Sequence, residues 1–119
     1  MEIASDEQGS LWVTSYTPGL LFRYAPGTGT FTAYTVSLGG NERGTLYGLL
    51  VPRSGDVCVT ILTDDMLAHL DVRTGHFLSF RIPTPGSIPL GLVMDANQNL
   101  WFTGMDSIGM LHPARPISQ

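Results

Sequence analysis

The chain has 119 residues, 43% of them hydrophobic, enough for one small domain or part of a larger one, with no apolar run long enough to cross a membrane as a helix. A formal charge of −4, with six Lys plus Arg and none clustered, leaves no electrostatic footprint for nucleic acid. One cysteine excludes an intrachain disulfide framework, and no basic segment followed by an apolar run marks a secretion signal, so the chain reads as soluble with its compartment open.

Glu2–Ala4 reads as the end of a strand, and the strand after it lies in Gly9–Thr14, GSLWVT. That segment returns as Gly55–Thr60, GDVCVT, and as Gln98–Thr103, QNLWFT, a period of about 45 residues that marks a repeat protein. Gly9–Val36 lies over Gly55–Ile82 without a gap at an offset of 46, and eight of these 28 positions are identical, Thr14/Thr60, Leu21/Leu67 and Gly29/Gly75 among them. Chance would give about two for ordinary composition. The third copy starts at an offset of 43 from the second and loses two residues between Thr103 and Leu111.

The second copy, Leu46–Pro83, is complete, and turn residues cut it into four short pieces rich in β-branched and aromatic side chains. Strands are predicted at Tyr47–Val51, Val57–Leu62, Leu67–Asp71 and Phe77–Ile82. In the turn between the last two, Asp71 can accept main-chain amides two residues on, and Gly75, like Gly29 in the first copy, supplies a left-handed backbone. No segment carries a helical period, so the chain is predicted to be all-β.

The second strand of each repeat is apolar on both faces, Leu11 and Val13 on one and Trp12 on the other, with Leu100, Phe102 and Trp101 repeating the arrangement. A sheet open to water on one side alternates more cleanly, so each sheet must be covered twice. Four-stranded sheets stacked face to face around an axis, the blades of a β-propeller, meet that demand at this period. The blades are expected at about 2–37, about 46–83 and, incomplete, about 90–113. Closed propellers have about four to eight blades, so either further copies of the chain or missing blades are expected to complete the ring. Trp12 and Trp101 are expected between blades, and Cys58, at the same repeat position, is expected to be a packing residue.

GSLWVT, GDVCVT and QNLWFT, the segments TGTFTAY and TGHFLSF, and above all PTPGSIPLGLVMDANQNLWFTGMDSIGMLHP resemble the virginiamycin B lyase (streptogramin lyase) family. Related sugar-lactonase-like (SMP-30-like) and NHL-type propellers have similar blades. The resemblance implies a ring of about seven blades, within the usual propeller range, and an enzyme that opens a cyclic antibiotic at an ester by elimination, with a divalent metal and a histidine base. The family often ends its second-strand motif in Glu, where this chain has Ser15, Ile61 and Gly104. Where the family's catalytic blades place Glu and His, the chain reads Gly86-Ser87-Ile88-Pro89-Leu90-Gly91.

In a propeller, two of the four connections of each blade lie at one end of the central channel. That end receives Tyr16, Glu42, Arg43, Asp64, Asp65 and Asp106 as candidate ligand contacts. Asp64 and Asp65 are candidate ligands for Mg²⁺ or Ca²⁺, which take hard oxygen donors, and such an ion would serve a lyase or a lactonase-like hydrolase as a Lewis acid. Thr-Asp-Asp and Met-Asp-Ser are also ordinary turns, and Glu42 with Arg43 an ordinary exposed ion pair. His69, His76 and His112 occupy different repeat positions and share no metal-ligand spacing. Gly-x-Ser-x-Gly is absent, and Cys58 has no base nearby in sequence. Two functions are therefore carried forward: a lyase-like propeller fragment acting on a small cyclic ester without its complete catalytic set, and a non-catalytic propeller module that binds a ligand or protein through its channel-end loops.

Overall fold

The computed structural model describes residues 2–15, 19–36, 44–52, 57–63, 65–83, 86–105 and 107–111. They form three antiparallel sheets and no helix, so no helix is long and apolar enough to cross a membrane. The first sheet runs in chain order through β1 (Ile3–Ser5), β2 (Leu11–Ser15), β3 (Leu20–Ala25) and β4 (Thr30–Thr35). The second repeats it with β5 (Leu46–Leu50), β6 (Val57–Ile61), β7 (Met66–Asp71) and β8 (His76–Arg81). The third has β9 (Leu92–Met94), β10 (Leu100–Thr103) and β11 (Ile108–Leu111).

The last hairpin of each full sheet is built as its turn residues require. The Gly29 amide donates to the Ala25 carbonyl at 2.8 Å with φ +68°, and the Gly75 amide to the Asp71 carbonyl at 2.8 Å with φ +76°. The Asp71 carboxylate accepts the Arg73 amide at 3.0 Å, two residues on.

Several strands start or stop a residue from their expected bounds, and register explains the shifts. Met66 pairs with Arg81 and Asp71 with His76, so β7 and β8 have equal arms, while the amide of Ile82 leaves the ladder and donates to the carbonyl of Asp65 at 2.8 Å. In β5 the register shifts between Leu46 and Leu49, because the Gly48 amide donates to the hydroxyl of Thr60.

Burial along the second strands shows how the sheets stack. In β2 only Trp12 and Thr14 are buried, in β10 only Leu100 and Phe102, and in β6 all five residues. The alternate side chains of a strand point to opposite faces, so the second sheet is covered on both faces and each outer sheet on one. Trp12, Leu21 and Val36 pack with Val57, Val59, Ala68 and Leu70 between the first two sheets. Cys58 with Leu100, and Leu67 and Ile82 with Phe102, fill the second gap.

Candidate functional site at one end of the stacked sheets

Of the six candidate contacts, Asp65 lies among the described residues, and Tyr16, Glu42, Arg43, Asp64 and Asp106 lie outside them. Asp65 closes the β6–β7 connection with φ +52°. Its Oδ2 accepts the Gly86 amide at 2.7 Å and its Oδ1 the Ile88 amide at 3.1 Å. These amides, Ile88 first and Gly86 next, hold the carboxyl below its ordinary value against the smaller opposing effect of burial. Asp65 therefore ties the β6–β7 turn of the second sheet to the connection that leads into the third.

The same connection is clamped from its other side. The carbonyl of Ser87, a buried residue, accepts the Met105 amide at 3.1 Å, and the Gly104 amide donates to the Ser107 carbonyl at 2.7 Å. A Cβ on Gly104 would stand 2.5 Å from the Ser87 carbonyl oxygen. Ile88, between the two clamps, takes φ +48°, a left-handed conformation that β-branched residues rarely adopt.

This geometry bears on the pocket-facing carboxylate that the resemblance places after the second strand. Gly104 has no room for a side chain, Ile61 is fully buried in the core, and Ser15 ends β2 half-buried. Among the described residues no three His, Cys, Asp or Glu side chains converge. Each Asp65 oxygen accepts one main-chain amide, and Asp64, its expected partner at a Mg²⁺ or Ca²⁺ site, lies outside the described residues.

The histidines and the cysteine also find their places. Register sets His69 directly opposite Cys58, a neighbour that sequence distance concealed, but the thiol is 1% exposed and packs on Leu100 as a core residue. His76 is exposed at the other end of β8, and His112 lies outside the described residues.

Two recurrent constellations emerge from the fold alone. The hydroxyl of Thr14 accepts the Glu2 amide of its own sheet and donates to the Tyr47 carbonyl of the next at 3.0 Å. Thr60 does the same with the Gly48 amide and the Leu90 carbonyl, at 2.6 and 2.9 Å. Each threonine bolts one sheet to its neighbour, and its recurrence in the repeat was the visible signal.

The second constellation is an aspartate that holds a tryptophan. Asp6 Oδ2 accepts the Trp12 indole N–H at 3.0 Å, and Asp95 Oδ2 that of Trp101 at 2.8 Å. In the middle copy both partners are exchanged together, to Pro52 and Cys58. Trp12 is buried between sheets as expected, stacked on Tyr34 and capped by the Arg23 guanidinium. Trp101 is not: it is 39% exposed, because no described sheet covers its face.

No family model and no curated protein sequence matches the chain. Solved structures do match. Virginiamycin B lyase from Staphylococcus aureus superposes with a TM-score of 0.77 at 19% identity over 96% of this chain and 41% of that one. A catalytically inactive variant of that enzyme with quinupristin gives a TM-score of 0.78 at 19% identity, covering 95% and 41%. A streptogramin B lyase structure gives 0.76 at 20% identity, covering 96% and 40%. The chain thus has the all-β, stacked-blade fold of the virginiamycin B lyase propellers and spans about two fifths of the length of the lyase structures it matches.

Proposed function

We propose that the chain is a streptogramin lyase-like propeller segment, laid out on the plan of an enzyme that opens a cyclic ester, whose described residues form channel wall and not a complete catalytic set. The close approach of Ser87 to Gly104 carries this reading, because it removes the space for a pocket-facing carboxylate where the resemblance puts one. The engagement of both Asp65 oxygens by main-chain amides supports it, by assigning that carboxylate to loop architecture. Under this reading the segment's task is to bind: the channel-end loops of a non-cleaving module receive a small cyclic molecule or a protein partner.

The test incubates the 119-residue chain with quinupristin, with and without Mg²⁺, and follows both binding and ring integrity. Elimination opens the ring without a change of mass and is read by chromatographic retention, whereas hydrolysis adds one water and is read by mass. The expected outcome is an intact ring under both conditions. Metal-dependent appearance of the isomeric open form would overturn the non-catalytic reading in favour of a lyase, and a product one water heavier in favour of a lactonase-like hydrolase.

A further inference from the structure

The third sheet turns one face to solvent, and the repeat identifies what belongs there. β10 presents Trp101 and Thr103 on that face, with Val93 and Met110 beside Trp101 and Ile108 beside Thr103. Opposite the repeat threonine, Leu21 and Leu67 are 0% and 2% exposed, yet Ile108 is 72% exposed. Thr103 accepts the Gly91 amide as its two counterparts accept theirs. Those counterparts also donate across the gap, Thr14 to the Tyr47 carbonyl in the first strand of the next sheet and Thr60 to the Leu90 carbonyl two residues before it. Among the described residues no sheet stands beyond Thr103 to supply one.

The first sheet carries the matching half. In the second sheet Val57, Val59, Ala68 and Leu70 are buried against the first. The same repeat positions in the first sheet are Leu11, Val13, Phe22 and Tyr24, all only partly buried, and exposed Ile3 and Ala33 extend their face along the register Ile3, Val13, Phe22, Ala33. One end of the stack is thus the donor side of a joint made twice inside the chain, and the other end is its acceptor side.

We propose that the exposed face of the third sheet binds the exposed face of the first sheet in a second copy of the chain, head to tail. The occupant follows from continuity with the two internal joints, which already pair these same repeat positions, threonine to a carbonyl in or just before the next sheet's first strand and apolar row to apolar row. Two copies supply six sheets, inside the range of about four to eight that closed propellers use. In the proposed pair the head-to-tail joint is used twice and leaves no free face, the closed outcome that such a joint gives when its rotations sum to a full turn. The pairing does not depend on any chemistry within the channel.

Sedimentation across a dilution series tests it, with the unmodified chain and two kinds of variant. Ile108→Lys or Met110→Lys blocks the third-sheet face, and Ile3→Lys or Ala33→Lys blocks the first-sheet face. All four positions are exposed, so the fold survives, and a retained β-sheet circular dichroism spectrum selects the variant used on each side. A discrete pair is expected for the unmodified chain and single chains for each variant alone. An equimolar mixture of one variant of each kind should restore a pair that dissociates at higher concentration, because one joint remains where the ring has two. A single chain at every concentration up to the solubility limit would overturn the proposal, as would open-ended growth or self-association of the first-sheet variant alone, the mark of a face that pairs with itself.

Discussion

Thr14 and Thr60 show how much one hydroxyl does in a stack of sheets. Each accepts an amide that its own ladder leaves over and donates to the next sheet, so Thr60→Val would strand the Gly48 amide and the Leu90 carbonyl in a buried gap. Leaving a buried polar group unpaired costs about 1–3 kcal/mol. The unfolding free energy of Thr60→Val, read from the urea midpoint at unchanged slope, should therefore fall by that order, while Thr103→Val, compared in the single-chain Ile108→Lys background where its face is open, should stay within about 0.5 kcal/mol. Gly104 is a second such position. Gly104→Glu should lower the melting temperature sharply, since its Cβ meets main-chain atoms of Ser87 that the Asp65 clamp holds in place. The recurrence of the threonine was plain in the sequence, but its partners, 33 and 30 residues away, were not. Nothing local distinguishes a threonine on a strand face from one that reaches across a gap.

At the scale of the element, the turns before β2 and β10 are units organised by an aspartate. The Asp95 carboxylate accepts the amides of Asn97 and Asn99 and the indole of Trp101, and Asp6 does the same with Gln8, Ser10 and Trp12. For Asp95 the indole N–H is the largest influence, and the carboxyl is held below its ordinary value of 3.8. For Asp6 burial pushes upward most strongly, but the combined hydrogen bonds of Trp12, Ser10 and Gln8 leave the net displacement downward. A carboxyl whose folded value is lowered contributes stability that is present above the unfolded value and lost as pH falls through the folded one. Acidification below 3.8 should therefore loosen these turns and change the emission of half-exposed Trp101, and Asp95→Ala should abolish that acid transition while leaving the spectrum at neutral pH already shifted. The joint replacement of Asp and Trp by Pro52 and Cys58 was visible in the sequence, and only the indole contacts of the folded chain give it meaning.

At the scale of the whole molecule, stability should be graded from the centre of the stack outward. β6 is buried along its full length, whereas β10 is covered on one face and β4 is an exposed outer strand. In the single chains of the Ile108→Lys variant, amide exchange should be slowest in β6, faster in β10 and fastest in β4 and β11, because local opening costs least where few apolar contacts break. Uniform protection across the three sheets would contradict this ordering.

Periodicity, turn residues and two-faced apolar strands were enough to place three like sheets in chain order, because these are properties of local backbone geometry and side-chain alternation; the expectation that each sheet is covered twice is met among the described residues by the second sheet, and each outer sheet is covered on one face. They also indicated the glycine turns at Gly29 and Gly75, whose conformations depend on neighbours a few residues away. The fate of individual polar groups was settled only by packing. Asp65 ties down residues 86–88 because the next sheet brings those amides within 3.1 Å, and Trp101 lies open while Trp12 is buried because a sheet covers one and not the other. A residue type sets what bonds a side chain can make; the approach of a segment distant in sequence decides which of them it does make.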